Sequence, residues 1–289
     1  MWDFIKYHGL GNDFILLNGG MSGRPDPGTA EVRALCARGT GIGADGVMLA
    51  RPSDDADLSM TLINRDGTIP EMCGNGLRCL VKYAVDDLGL TANPLQVATG
   101  AGVLSCRWRR GVSGAVDRVE VAMGAPTFDR EEIPMTGQGL ATQVAISAAG
   151  HEWTATGVGT GNPHMVLFGD HTVEMAREWG PVLTVHPMWP RGTNVEFTRV
   201  LSPTHLEVTV WERGCGLTAA CGTGATAATA AAVKLGYSPP DTPITVTLLG
   251  GDLIIRVAAD LRQAWMDGPA VETCRGQRPE SPPSGSGAT

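Results

Sequence analysis

Two cysteines carry the strongest chemical signal in the chain. Cys73 leads into Gly74-Asn75-Gly76-Leu77-Arg78-Cys79, and Cys221 leads into Gly222-Thr223-Gly224-Ala225. In both places a thiol stands before a glycine-punctuated loop that opens a helix. After the first, Leu77, Leu80, Val81, Ala84, Val85 and Leu88 recur on one helical face until Gly89; after the second, residues 225–235 are small or apolar nearly all round until Gly236. The second pattern suits a helix enclosed by other structure. A thiol at a helix N-terminus meets exposed backbone N–H groups and the positive end of the helix dipole. Its pKa can fall from about 8.5 to roughly 3.5–7.5, so it can give or take a proton near neutrality. The same N–H groups, at Gly74-Asn75 and Gly222-Thr223, make an anion cradle.

Two thiols, each beside a cradle, suit the inversion of an amino-acid stereocentre. One group removes the α-proton from one face and the other returns a proton on the opposite face. The difficulty is charge developing next to a carboxylate, which a dry, preorganised site must stabilise. Two helix N-termini aimed at that carboxylate meet the need with no metal and no cofactor.

Competing chemistries fit less well. Cys73 and Cys79, like Cys215 and Cys221, have five residues between them. Structural zinc favours two to four, so no metal is expected. Isolated Cys36, Cys106 and Cys274 read as small buried hydrophobes. Pyridoxal phosphate would need a Schiff-base lysine and a phosphate cradle. The only lysines are Lys6, Lys82 and Lys234, and none stands near such a cradle. Gly41-Ile42-Gly43-Ala44-Asp45-Gly46 spells a dinucleotide fingerprint, but its order is helix, loop, strand, the reverse of what that site requires. A redox role for the two cysteines stays open as an alternative, although thiol exchange more often uses two cysteines on one helix separated by two residues.

The elements that position these residues recur. Gly11-Asn12 precedes Cys73 by 62 positions, and Gly161-Asn162 precedes Cys221 by 60. Paired motifs at nearly one offset indicate a duplicated unit, hence two related lobes facing each other with one cysteine from each. A helix is predicted over 30–37, and strands near 4–17, 47–50, 58–63, 95–98, 103–108 and 118–123. Gly124-Ala125-Pro126 marks the border, giving a first lobe over 1–123, completed by about 265–275, and a second over 124–264. Further strands are predicted near 142–146, 165–168, 194–200, 206–211, 244–248 and 253–257. From Gly276 on, Pro, Ser and Gly dominate and a disordered tail over 276–289 is expected. Many strands around one buried helix per lobe make an α+β architecture.

The 289 residues carry a net charge of −8, which argues against a nucleic-acid partner. The N-terminus lacks the pattern of a signal peptide, and no apolar run approaches a membrane span. Seven cysteines, an odd number with no CxxC pair, suit a reducing compartment, so a cytoplasmic location is expected. Glycine makes up 39 of 289 residues, about 13% against a usual ~7%, as tight turns and backbone-lined pockets require.

At the level of motifs the chain closely resembles the diaminopimelate epimerase family. Asn64-Arg65-Asp66-Gly67-Thr68 followed by Cys73-Gly74-Asn75-Gly76-Leu77-Arg78 is similar to its first signature, and Glu212-Arg213-Gly214 followed by Thr218-Ala219-Ala220-Cys221-Gly222-Thr223-Gly224 to its second. Gly9-Leu10-Gly11-Asn12-Asp13-Phe14, Gly161-Asn162-Pro163-His164 and Thr193-Asn194-Val195-Glu196-Phe197 match as well. The resemblance implies two pseudo-symmetric lobes, each a strongly curved, mostly antiparallel sheet around a central helix. It implies a pyridoxal-independent enzyme interconverting LL- and meso-diaminopimelate, a small-molecule substrate, with Cys73 and Cys221 as acid and base and His164 and Glu212 in support. Asn12, Asn64, Asn162, Asn194, Glu212 and Arg213 would hold the distal end of the substrate, and Gly74, Asn75, Gly222 and Thr223 the reacting carboxylate. Family members are often homodimers. The chain departs from the family pattern at Leu217, where a glutamate is usual, at Cys215, where a small aliphatic residue is common, and at Gly46, where some members carry glutamine. These departures leave a different amino-acid substrate, such as a shorter diamino acid, as an alternative.

Overall fold

Parallel strand pairs need a crossover connection, and in this chain each crossover is a helix. The computed structural model describes residues 1–17, 25–70 and 72–279. By internal packing these form two units, Met1–Val119 with the stretch that begins at Pro269, and Glu120–Gly268.

The first unit contains β1 (Trp2–Gly9), β2 (Asn12–Leu17), α1 (Thr29–Cys36), β3 (Gly46–Arg51), β4 (Leu58–Asn64), α2 (Gly74–Asp86), β5 (Leu95–Thr99) and β6 (Gly102–Arg110). Its pairings run β1–β2 antiparallel, β2–β3 parallel, β3–β4 antiparallel, β4–β5 parallel and β5–β6 antiparallel. α1 makes the first parallel crossover and α2 the second. β7 (Val116–Gly124) carries the chain across the border, which lies within it, upstream of Gly124.

The second unit contains β8 (Val144–Ala148), β9 (His151–Gly159), β10 (Pro163–Phe168), α3 (Val173–Leu183), β11 (Asn194–Ser202), β12 (His205–Glu212), the two-residue β13 (Gly216–Leu217), α4 (Gly222–Lys234), β14 (Ile244–Leu248), β15 (Gly251–Val257) and β16 (Ala264–Pro269). Here β9–β10 is antiparallel, β10–β11 parallel, β11–β12 antiparallel, β12–β14 parallel and β14–β15 antiparallel. The five pairings repeat those of the first unit in order and sense, with α3 and α4 in the places of α1 and α2. The recurrence of short motifs therefore reflects a repeated topology. Finally β17 (Val271–Arg278) pairs with β1, Trp2 opposite Arg278 and His8 opposite Val271. Gly276 and Arg278 thus lie in a strand, although composition alone suggests that a tail begins at Gly276. The rest of that tail, from residue 280, lies outside the described residues.

Both cysteine helices are enclosed. In α4 every residue from Ala225 to Ala232 is buried, and Thr226 and Thr229 return their hydroxyls to the carbonyls of Gly222 and Ala225, both at 2.9 Å. The sequence suggests a one-sided apolar face for α2, yet all its residues from Gly74 to Val85 are buried, Arg78 and Lys82 included. Those charges are tolerated because they are satisfied. Arg78 donates to Pro269 O at 3.1 Å and Asn75 Oδ1 at 2.8 Å, and Lys82 pairs with Asp86 at 2.9 Å and donates to Val116 O.

Two elements escape a sequence reading because glycine and proline mimic breakers. β9 contains Gly157 and Gly159, where a Cβ would meet the Ala141 and Thr127 side chains at 2.9 and 2.6 Å. α3 contains Gly180 and Pro181. A side chain at Gly180 would collide with the Trp211 indole, and Pro181 falls only in the last turn.

Candidate active site

Cys73 is the N-cap residue of α2, with φ −143° and ψ 109°, and its Sγ accepts from the backbone N–H of Gly76 at 3.4 Å. Its thiol donates to Asn12 Oδ1 at 3.8 Å, and Asn75 Nδ2 donates to the same oxygen at 3.3 Å. The Asn12 amide nitrogen donates to Asp45 Oδ2 at 2.8 Å. Arg38 ties Asp45 to Asp13, at 2.9 and 2.6 Å, and Lys6 meets Asp13 at 2.9 Å. Burial pushes the Asp13 carboxyl up, but the hydrogen bonds from Arg38 and Lys6 outweigh it and hold its pKa below the usual carboxylate value.

Asp45 belongs to the glycine loop that spells a dinucleotide fingerprint. Its N–H groups are already committed: Gly41 donates to Ala37 O, Ile42 and Gly43 to Leu35 O, and Ala44 to Cys36 O. The loop therefore wraps the C-terminal carbonyls of α1 and leaves no phosphate cradle at Gly41–Ala44. Asn64, opposite Gly46 on β3, turns its amide to Thr68 Oγ1 at 3.0 Å in the turn allowed by Gly67 at φ 91°.

Cys221 repeats the backbone of Cys73. It caps α4 at φ −125° and ψ 110°, and its Sγ accepts from Gly224 N–H at 3.3 Å, with Thr223 Oγ1 at 3.4 Å. Around it, however, stand titratable groups. Glu212 stands close enough for its charge to act on the Cys221 thiol, and its Oε1 accepts from Thr218 Oγ1 at 2.5 Å. Glu196, fully buried on β11, pairs its Oε1 with His164 Nδ1 at 2.7 Å, and His164 Nε2 faces Asn162 Oδ1 at 2.8 Å. Both imidazole nitrogens face oxygens.

Burial pushes the Glu196 and Glu212 carboxyls up, against the pull of His164 on the first and of Thr218 on the second. Burial likewise raises Cys221 well above the ordinary thiol range; the charges of Glu212 and Glu196 add to it, and the hydrogen bonds from Thr223 and Gly224 oppose it. A helix-end argument alone anticipates a lowered thiol here. Desolvation and two carboxyls win instead, and Cys221 rests as S–H.

Of the remaining sequence candidates, Asn194 Oδ1 accepts from the backbone N–H of Arg213 at 2.9 Å, which fixes the turn after β12. The Arg213 guanidinium is exposed and donates to Arg191 O at 2.7 Å. Gly74 and Asn75, and Gly222 and Thr223, form the first turns of α2 and α4. Thr160 Oγ1 anchors the second of these turns by donating to Thr223 O at 3.4 Å. Sequence reasoning gave no role to Glu196, Thr218 or Asp45. For Glu196 the signal was available only locally: a carboxylate between two apolar residues, Val195 and Phe197, in a strand. Leu217 pairs opposite Trp211 in β13 and packs on the aromatic cluster around Trp153, Trp179 and Phe197. Among the described residues no cluster of His, Cys, Asp and Glu is arranged to hold a metal, and no helix is long and apolar enough to cross a membrane. A cleft of about 300 Å³ lined by His171, Arg199, Glu207 and Thr247 shares no residue with this site.

The fold is that of the racemase and epimerase structures it resembles. A probable proline racemase from Agrobacterium radiobacter superimposes with a TM-score of 0.70 at 15% identity, covering 98% of this chain and 94% of that one. A hydroxyproline epimerase from Agrobacterium vitis does so at 0.68 and 16%, covering 96% and 90%. The family is shown by sequence. The diaminopimelate epimerase model matches residues 4–128 and 156–273. The diaminopimelate epimerase of Moorella thermoacetica is 45% identical over 278 residues, 96% of this chain and 99% of that protein. That of Synechocystis is 41% identical over 279 residues, 95% and 98%. The chain belongs to the diaminopimelate epimerase family and is an isomerase.

Proposed function

We propose that this protein interconverts LL- and meso-diaminopimelate, with Cys73 and Cys221 as the acid and base at the α-carbon. The observation that carries this reading is the repeated cap: two cysteines at equivalent places in two equivalent units, each the N-cap of an enclosed helix and each holding the N–H of a glycine three residues on. One thiol takes the α-proton as the other supplies a proton to the opposite face. The first turns of α2 and α4, at Gly74-Asn75 and Gly222-Thr223, are placed to stabilise negative charge developing on the substrate carboxylate. Glu212, whose charge acts on Cys221, is the group to accept that thiol's proton and so make it a base, with His164 nearby. Asn12, Asn64, Asn162, Asn194, Glu212 and Arg213 are assigned to the distal end of the substrate, where Arg213 suits a carboxylate and Glu212 an ammonium. No step requires a cofactor. A cytoplasmic homodimer completes this reading; light scattering of the purified protein tests the second part.

The test is proton NMR of the reduced protein with LL-diaminopimelate in D2O, following α-deuterium uptake and the stereochemistry of the product. Exchange at the α-carbon with formation of the meso isomer is expected. No exchange from a reduced, folded sample overturns the substrate, and exchange with a shorter diamino acid instead would replace it.

A further inference from the structure

We propose that Asp45 is a positioning residue for Cys73: it holds the amide of Asn12 so that Oδ1, and not Nδ2, faces the thiol. The inference rests on the reading of Cys73 as an acid/base group and adds a residue that the reading leaves without a task.

The direction of the amides follows from the charges at the two ends of a chain of hydrogen bonds. At one end Arg78, which can only donate, gives Nη2–H to Asn75 Oδ1 at 2.8 Å. The Asn75 nitrogen is thereby turned to Asn12 Oδ1, at 3.3 Å. At the other end Asp45, paired with Arg38 at 2.9 Å, can only accept, and takes a hydrogen from Asn12 Nδ2 at 2.8 Å. With its nitrogen committed to Asp45, Asn12 presents an oxygen to Cys73 Sγ at 3.8 Å. An oxygen in that place accepts from S–H and favours the thiol; an amide N–H there would favour the thiolate. Turning one amide over would reverse the preference. Asp45 is the charge that opposes the turn, and its loop is fastened to the end of α1, so its position is set by backbone bonds of its own.

The experiment is peptide-resolved alkylation of the full-length, reduced, substrate-free protein with iodoacetamide at one mildly alkaline pH. Asp45→Asn should label Cys73 about threefold to tenfold faster than the unchanged protein, the range that one lost hydrogen bond to the thiol would give. Asp45→Glu, which keeps an acceptor, should stay near the starting rate. The double variant Asn12→Asp with Asp45→Asn, in which acid and amide trade places, should return Cys73 to the starting rate or below. Cys274, which lies exposed on β17 and not buried as its isolation in the sequence suggests, serves as the internal reference in each sample. Unchanged Cys73 labelling in Asp45→Asn overturns the proposal, and so does acceleration that the exchanged pair fails to reverse. A variant with a depressed melting temperature is judged on the other two. Labelling needs no turnover, so its outcome is separate from that of the substrate experiment; Cys73→Ala that still epimerised would sink the acid/base reading and leave the amide orientation to stand on the labelling alone.

Discussion

Cys73 and Cys221 occupy the same backbone and different chemistry. Each caps a helix in extended conformation, and each receives one glycine N–H at 3.4 or 3.3 Å. At Cys73 the next groups are amides, Asn12 and Asn75, backed at a distance by ion pairs. At Cys221 they are Glu212, Glu196 and His164. The equivalent asparagines are also turned differently. Asn12 gives its nitrogen to Asp45 and its oxygen to the thiol, whereas Asn162 gives its oxygen to His164. A repeated motif therefore fixes where a thiol sits and leaves its proton to the neighbours. The cap alone would lower both thiols; the carboxyls and burial around Cys221 reverse that.

The sharpest way to break the comparison is to remove each thiol. Cys73→Ala and Cys221→Ala are each expected to reduce epimerisation by about 10³-fold or more, since loss of either proton-transfer group stops inversion. Retained turnover in either variant, measured by circular dichroism of the product, would mean that the two are not partners.

Glu212→Gln should separate the two neighbourhoods. Removing that charge relieves part of what holds Cys221 above the thiol range, so Cys221 should alkylate faster at a given pH while Cys73 labelling changes little. Turnover should nevertheless fall by about 10²-fold, because the proton acceptor is gone. Slower alkylation of Cys221 would contradict the electrostatic account.

The two N3 glycines give a smaller contrast. A Cβ at Gly224 would lie 2.8 Å from Glu196 Oε1 and 3.3 Å from Cys221 Sγ, and the first of these is pinned by His164. A Cβ at Gly76 would meet mainly the terminal methyl of Met48, the mobile end of a flexible chain. Gly224→Ala should lower kcat by about tenfold or more and Gly76→Ala by less, as a loss of alignment in the first site and a rotamer change in the second. Equal effects would show that the Glu196–His164 pair yields as readily as a methionine.

Asp13→Asn should affect stability more than turnover. The carboxyl has a pKa depressed in the folded protein, so its contribution is present above about pH 4 and is lost as pH falls through the lower folded value. The expected cost at neutral pH is about 1–2 kcal/mol, since solvent reaches the half-exposed Arg38 and screens the pair, and urea unfolding at pH 7 and pH 3 should show the difference shrinking with acid.

Much of this was legible in the sequence. The paired cysteines, their helices and the repeated asparagines stand on glycine punctuation and helical spacing, both local signals. The strands at Leu58–Asn64 and Ile244–Leu248 announce themselves by alternation. What stayed hidden depends on contacts distant in the chain. Gly180 reads as a breaker until Trp211, 31 residues on, is seen filling the space above it. Arg78 reads as a surface charge until Pro269 supplies its acceptor. Glu196 reads as one letter of a motif until His164 and Cys221 close around it, and no local pattern could foretell that the thiol there would be raised.

β1 and β17 join the two ends of the described chain, Trp2 opposite Arg278. β1 is synthesised long before β17, so its pairing with β17 must wait until the whole stretch between them has been made. Residues 120–268 form one uninterrupted stretch, whereas the first unit is split around it and includes β17. The half that carries Cys221 is thus continuous in sequence, and the half that carries Cys73 is completed only by a strand made after it.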